Sequence, residues 1–402
     1  MNVLVFNAGS ASLKFELIRA DSEKPDLQQL HQVISCSIEH IGGDAVLSQL
    51  QDKKVIHKQQ ITANDYSTAT QQALKWLNKQ EISNKFNKFD VVGHRIVHGA
   101  NRFTAPILIN DEVIAEIEAL EELAPLHNAN AVDVIRATHK LLGNKVPMVA
   151  VFDTVFHRDI PDFAHLYGIP FELSERYQIR RYGFHGISHQ YMATRYAQIT
   201  NTPKEKVDII TLHLESGCSA TAIKAGKSID TSMGFTPLEG LMMGKRSGDI
   251  DPALINYLAT KEGVEVGEIE ELLNNKSGLL GVSGISHDTR VLMKHFDTDK
   301  RVRLAMEVFC YRILKYIGAY LAVLGGAKAI VFGGGIGENT LFVRDRICSQ
   351  LKWCGLMLDS ERNQQTIDCE GKITSDDSGL HAYVIPVQEG LQIAQQAVLT
   401  IF

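Results

Sequence analysis

One short unit occurs twice in this 402-residue chain and constrains what the chain can fold into. Val3–Phe6 is an apolar run, Asn7-Ala8-Gly9-Ser10-Ala11-Ser12 is a turn of small polar residues, and Leu13–Ile18 alternates on the way back. Val207–Leu214, Glu215-Ser216-Gly217-Cys218-Ser219 and Ala220–Lys224 repeat the arrangement, and Ala225-Gly226-Lys227 turns again. Alternation bounded by small polar residues reads as strand, tight turn, strand. Two copies predict two related domains. Between them, Asp111–Leu123 carries Val113, Ile114, Ile117, Leu120 and Leu123 at helical spacing. Pro125 interrupts that pattern, and Asn128 or Asn130 is placed to cap a following helix through Leu142. Met148–Phe152 reads as a buried strand ending at Asp153, and Arg303–Leu324 as a helix lying between layers. Strands mixed with helices predict α/β layers.

Length and composition remove several alternatives. At about 150 residues per domain, the chain holds between two and three domains. Apolar residues at 45% and charged residues at 22% exclude a disordered chain, a collagen and a coiled coil. Lys plus Arg is 41 and Asp plus Glu is 47, a net charge of −6, so neither nucleic acid nor an anionic membrane is an expected partner. Six cysteines without a CxxC pair fit neither a disulfide framework nor a zinc ribbon, and scattered thiols point to the cytosol. The start MNVLVFNAGSAS lacks a basic n-region and is not expected to be a signal peptide. The most apolar stretch, Tyr316–Ala327, is bracketed by Lys315 and Lys328 and is too short to span a bilayer.

Seven places in the chain carry chemistry. The hairpin tip from Asn7 to Lys14 offers backbone amides, hydroxyls and one cation to an anion, although a plain polar turn has the same composition. Gly333–Asn339 follows the strand Ala329–Phe332 and opens a helix, where nucleotide phosphates or ribose bind, but the last glycine of a dinucleotide fingerprint is missing. Gly240–Ser247 is one residue short of a P-loop and has Arg246 after the lysine, so it is not one. Arg246 among small residues suits a bidentate oxyanion contact, and Arg95, set in apolar surroundings, needs a partner or a cleft. In Arg181–His189 two histidines stand at i and i+4 without the HExxH glutamate, which argues for one working histidine, His185, and one that packs or caps, His189. Asp153 and Glu389 follow strands and are candidate carboxylates for acid–base or Mg²⁺ work, or simply helix-capping groups. The absence of a GxSxG elbow disfavours a serine hydrolase.

Taken in order, these segments resemble the acetate kinase family over essentially the whole chain. The matching motifs are NAGSASLKF at 7–15, GHRIVHG at 93–99, APLHN at 124–128, FDTVFH at 152–157, RYGFHGISHQY at 181–191, DTSMGFTPLEGLMMGKRSGDIDP at 230–252, SGLLGVSGISHDTR at 277–290, GGGIGEN at 333–339 and IPVQE at 385–389. The resemblance implies two duplicated actin-like ATPase (ribonuclease H-like) domains with a cleft between them. These are residues 1–150, completed by a C-terminal helix 388–402, and the nucleotide-binding residues 151–387. It implies reversible, Mg²⁺-dependent phosphoryl transfer from ATP to acetate, giving acetyl phosphate and ADP, in a cytoplasmic homodimer, with Mn²⁺ as an alternative ion. Carried over residue by residue, Asn7 and Glu389 match the metal positions, and Ser10, Ser12 and Lys14 the first phosphate hairpin. Arg95 matches the arginine at the acetate carboxylate, and Val97, Leu126, Phe184 and Pro237 the pocket for its methyl group. Asp153 matches the catalytic carboxylate, His185 and Arg246 the groups that stabilise the transition state, and His127 a further active-site histidine. His213, Leu214, Glu215, Ser216 and Gly217 match the second phosphate hairpin. Asp288, Thr289 and Arg290, with Gly335, Ile336, Gly337, Glu338 and Asn339, match the adenosine side.

One hairpin departs from the family pattern. Where the family has His-Leu-Gly-Asn-Gly, this chain has His213-Leu214-Glu215-Ser216-Gly217, and Lys245 stands where a threonine is usual. A carboxylate beside phosphates is repulsive, so Glu215 is expected to turn outward or to pair with Lys245. Two alternatives stay open: a kinase for propionate or another short-chain acid, and a nucleotide-binding sensor with weakened catalysis.

Overall fold

The computed structural model describes residues 1–51, 54–80, 89–123 and 125–402. The chain forms two units, residues 1–155 with 388–402, and residues 156–387. The boundary follows Val155, so the strand Met148–Phe152 belongs wholly to the first unit.

The first unit is built on an eight-stranded sheet. Its strands are β1 (Asn2–Ala8), β2 (Ser12–Ala20), β3 (Leu30–Glu39), β4 (Val46–Gln51), β5 (Lys54–Gln60), β6 (Val91–Ile96), β7 (Ile107–Leu108) and β8 (Met148–Phe152), in the order β5-β4-β3-β2-β1-β6-β8-β7. The continuous apolar run Val3–Phe6 is buried on both faces, as a central strand requires. β1 and β2 form the expected hairpin, with Asn7 opposite Lys14. The exposed edge strand β5 carries Lys54 and Lys58, charges that oppose pairing with another chain. The helix Glu389–Ile401 completes the unit. Its Ile393 lies so close to β6 that a Cβ on Gly93 would come within 2.7 Å of the Ile393 side chain.

The second unit has a six-stranded sheet of β9 (Ile209–Leu214), β10 (Cys218–Lys224), β11 (Lys227–Thr231), β12 (Ala329–Gly333), β13 (Gly371–Lys372) and β14 (His381–Val384), in the order β11-β10-β9-β12-β14-β13. The run β3-β2-β1-β6-β8 in the first sheet corresponds strand for strand to β11-β10-β9-β12-β14 in the second. In both, the first three strands are antiparallel and the last two join in parallel. The duplication seen in the two hairpins therefore extends through each sheet. The long helix Lys300–Leu324 is capped by Asp299, which accepts from the amides of Arg301 and Val302, and ends at Gly325 in the left-handed conformation.

One local expectation is corrected. The helical pattern breaks before Pro125 as expected, with one helix at Asp111–Ala119 and the next at Pro125–Leu142, but Pro125 itself opens the second helix, because proline is well tolerated in a first helical turn, where amides have no intrahelical partner. Asn128 and Asn130 therefore lie inside the helix and do not cap it. Asn128 is fully buried and exchanges two hydrogen bonds with the His98 backbone, accepting from its N–H at 3.2 Å and donating to its carbonyl at 3.0 Å.

Candidate active site

In the first unit β1, β6 and β8 are parallel neighbours, so their C-terminal ends bring Asn7, Arg95 and Asp153 to one edge of the sheet. Arg95 donates from Nε to Asp153 Oδ1 at 3.2 Å and from Nη2 to Oδ2 at 2.5 Å, and from Nη1 to Asn7 Oδ1 at 2.9 Å. Asn7 in turn donates to Glu389 Oε2 at 2.9 Å. The Asp153 side chain is 1% exposed, so its charge is carried inside the protein by Arg95. Ser10 and Lys14 are exposed and Ser12 is half-buried on the hairpin beside this cluster. The tip is held by Tyr66 and Asn130, which both donate to the Gly9 carbonyl, at 2.6 and 3.1 Å. Val97 is buried after β6, and His127 is half-buried in the helix Pro125–Leu142. The Leu126 side chain lies outside the described residues.

Glu16 was not singled out by the sequence, although it shares a strand face with Lys14. Its carboxyl lies against the start of the helix Glu389–Ile401, where a Cβ on Gly390 would come within 1.7 Å of it. Burial pushes its pKa up, against the opposing pull of a hydrogen bond from Gln32 and the charge of Lys14. Among the described residues no cluster of three or more His, Cys, Asp or Glu side chains forms a metal cage. Glu389 and Asn7 are hard oxygen donors of the kind that hold Mg²⁺ when substrate phosphates and water complete its shell. The residues present fit that ion.

The second unit gathers a different set. His185 is the N-cap of the helix Gly186–Ile199 and has φ of 56°, a conformation costly for a side chain bearing a Cβ. The preceding turn fixes it there. Gly183 has φ of 75°, and a Cβ on it would fall 2.5 Å from Thr231 and 2.7 Å from the His157 ring. His157 donates from Nε2 to the carbonyl of the buried Phe184 at 3.0 Å, so its Nδ1 accepts from Ser228 at 2.8 Å. Burial lowers the His157 pKa to about 4 and keeps that ring neutral.

His185 faces the β9–β10 turn. A Cβ on Gly217 would lie 3.3 Å from the His185 ring and 3.5 Å from Arg246 Nη1, so the turn, the histidine and the arginine meet at one place. Among the described residues Arg246 has no carboxylate partner. Its contacts are a 3.5 Å bond from Nη1 to the Pro237 carbonyl and a 4.0 Å approach to Met243 Sδ. Burial pushes its pKa down from the usual arginine range without removing its charge. His213 packs tilted against His185, with ring centroids 4.5 Å apart and planes at 51°, and its buried Nδ1 has no hydrogen-bond partner among the described residues. Glu215 is half-exposed, with Oε2 3.7 Å from His213 Nε2, and does not meet Lys245 among the described residues.

The second glycine turn lies beside the first because β9 and β12 pair in parallel, Gly333 opposite His213. Gly334 has φ of 74°, and a Cβ on it would fall 2.6 Å from the Leu214 carbonyl. Around Gly335 there is open space. The residues Gly334–Asn339 are themselves helical, and Asn339 donates to the Gly335 carbonyl at 3.1 Å. Ile336 and Gly337 are buried. The Glu338 carboxylate is also buried and accepts from the Val387 amide at 3.0 Å. Asp288 caps the helix Thr289–His295 and binds the exposed Arg290 through Nη2 at 2.7 Å, while Thr289 is buried.

The profile of the Acetokinase family matches residues 2–395. The acetate kinase of Solibacter usitatus is 47% identical over 406 aligned residues, spanning 99% of this chain and 98% of that protein. The crystal structure of Porphyromonas gingivalis acetate kinase superposes with a TM-score of 0.90 at 36% identity, over 100% of both chains. That of a propionate kinase from Francisella tularensis gives 0.88 at 37% identity, over 98% of each. The two-sheet α/β architecture and the ordered motifs thus have one common explanation: the chain belongs to the Acetokinase family.

Proposed function

We propose that this protein is a phosphotransferase that moves a phosphoryl group reversibly between ATP and acetate, forming acetyl phosphate and ADP by direct in-line transfer. The observation that carries the reading is Arg246, a half-buried guanidinium with no carboxylate partner among the described residues, next to His185 and the Gly217 turn. A cation held without a counter-ion is prepared for an anion. Acetate is already ionised at neutral pH and needs no base to become a nucleophile. Catalysis then consists of alignment and charge neutralisation. Arg95, aimed by Asp153 and Asn7, binds the acetate carboxylate. Asp153 acts by holding Arg95 in place, not by taking a proton. Val97, Leu126, Phe184 and Pro237 are the residues we assign to the methyl group, and His127 is assigned as a further active-site histidine. His185 and Arg246 donate to the transferred phosphoryl oxygens. Ser10, Ser12 and Lys14 and the His213–Gly217 turn hold phosphates, and Asp288–Arg290 with Gly335–Asn339 hold the adenosine. Glu389 and Asn7 would hold Mg²⁺, or Mn²⁺ in its place, which when bound screens the phosphate charge.

We assign the working form to a homodimer in the cytoplasm. No helix among the described residues is long and apolar enough to cross a membrane. A second reading, transfer to propionate, is supported by the Francisella tularensis propionate kinase structure at 37% identity. One methylene changes discrimination by only about 1–3 kcal/mol, so the two acids must be compared directly. Acyl phosphate formation with Mg²⁺-ATP, run in parallel on acetate, propionate and butyrate, decides between them. Product with acetate preferred supports the proposal, product with propionate preferred supports the second reading, and no product with any acid rejects both.

A further inference from the structure

His189 lies one helical turn beyond His185 and is fully buried. Its Nδ1 is 2.8 Å from Thr211 Oγ1 and its Nε2 is 2.7 Å from Ser219 Oγ. The same Ser219 Oγ is 2.9 Å from His185 Nδ1. Thr211, His189, Ser219 and His185 therefore form one continuous chain of hydrogen bonds. Three of its members, Thr211, His189 and Ser219, are fully buried.

We propose that His189 and Ser219 are positioning residues that hold His185 as the neutral tautomer with its proton on Nε2. The inference rests on the reading that His185 faces the transferred phosphoryl group. A phosphoryl oxygen only accepts, so the nitrogen directed at it must carry the proton. In neutral His185 that leaves Nδ1 bare, and Ser219 must donate to it. A hydroxyl has one proton, so His189 must then donate from Nε2 to the Ser219 oxygen. Burial keeps His189 neutral, since its pKa lies well below the usual histidine value. Its Nδ1 is then bare and accepts from Thr211. Each link has one proton and each direction follows from the one before.

The surroundings agree with a neutral His185. Its Nδ1 partner is a hydroxyl, whereas a carboxylate there would favour the imidazolium. Arg246 approaches from the loop after β11 and disfavours a second positive charge. His213 on β9 packs tilted against the ring, and Glu215 lies against His213, its Oε2 3.7 Å from His213 Nε2. His157 packs edge-on against His189, with ring centroids 5.8 Å apart.

The test combines kinetics with ¹⁵N–¹H correlation spectra of histidine-labelled full-length protein, free and saturated with Mg²⁺-ATP without acetate. In Ser219→Ala, kcat should fall roughly 10- to 100-fold, less than for loss of the donor itself, with KM for acetate within about threefold. Its His185 spectrum should gain the Nδ1–H tautomer. Ser219→Thr, which keeps the hydroxyl, and His189→Gln, which keeps a donor to it, should both stay within about fivefold of wild type. Ser219→Ala with kcat within about twofold and an unchanged tautomer overturns the proposal. If Ser219→Ala does not fold, Thr211→Val removes only the far hydroxyl, and the same spectrum then supports or overturns the chain. His185→Ala is the control for the underlying reading: kcat within about twofold there means that His185 does not face the phosphoryl group at all.

Discussion

Arg95 and Asp153 meet through two hydrogen bonds of 3.2 and 2.5 Å at the adjacent ends of β6 and β8, with the carboxylate almost completely buried. The pair fixes the direction of the guanidinium, and that direction is what a carboxylate substrate would read. Asp153→Ala takes away the buried carboxylate that Arg95 pairs with at the end of β8. Removing one partner of a buried pair costs about 3–5 kcal/mol of stability. The variant should therefore melt earlier and lose roughly 10²-fold or more in kcat/KM for acetate. Thermal melts and steady-state kinetics on the same preparation check both. Full activity in Asp153→Ala would remove Asp153 from the mechanism.

The two adjacent glycines of the β12 turn separate folding from binding. Gly334→Ala forces a Cβ into the Leu214 carbonyl in a left-handed conformation, so it should destabilise by about 1–3 kcal/mol or prevent folding. Gly335→Ala enters open space within a helical segment and should leave the melting temperature unchanged or raise it slightly. If adenosine approaches that backbone, Gly335→Ala will raise the KM for ATP several-fold in a protein as stable as the parent. An unchanged KM would place the nucleotide elsewhere.

Stability should fall below neutral pH because of a buried ring. His157 titrates at about 4 when folded, against an ordinary value of 6.5. The unfolded chain thus binds a proton that the folded ring refuses. Its contribution is complete above pH 6.5 and is lost as pH falls toward 4, by about 1.4 kcal/mol per pH unit. Urea midpoints between pH 7.5 and 5 measure the slope. His157→Gln keeps polar groups at the site and should flatten that slope, although the buried His94 and His189, both also lowered, retain part of it.

The β10–β11 hairpin holds Ala225 at φ of 51°, exposed at the tip. Alanine is strained there, whereas asparagine and glycine are at ease. Ala225→Asn should raise stability by about 0.5–1 kcal/mol with no change in kinetics, since the hydrogen bond from its backbone N–H to Asp208 Oδ1 is kept.

Glu215 is the residue that departs most sharply from the family pattern, and its side chain is half-exposed. Glu215→Gly should change the KM for ATP by less than about threefold. A fall of tenfold or more, about 1.4 kcal/mol, would show that the carboxylate faces the phosphates.

The hairpins and their order were readable because alternation is a local signal: Leu13–Ile18 and Ala220–Lys224 each announce a strand without reference to the rest of the chain. Asn128 was misread for the opposite reason. Its partner is the His98 backbone, thirty residues back, and nothing in the local pattern of 125–142 predicts that contact. Arg95 and Asp153 were each visible as charges in apolar surroundings. That they neutralise one another depends on the parallel register Arg95↔Val151, which sequence spacing does not state. Ser219 was hidden in the same way. It lies opposite His213 across the hairpin and touches two histidines of a helix formed earlier in the chain. The i, i+4 spacing of His185 and His189 was the available clue, but it cannot tell a packed ring from one that orders protons.

The helix Glu389–Ile401 belongs to the first unit, and all of the second unit lies between it and β8. During synthesis the first unit therefore emerges from the ribosome early but waits for its last piece. Until Ile393 arrives, Gly93 on β6 faces no helix, and until Glu389 arrives, Asn7 lacks its acceptor. The second unit is contiguous and can close as soon as it is made. The part translated first is thus finished last, and a nascent chain has no Asn7–Glu389 pair before the turns at Gly217 and Gly334 are already formed.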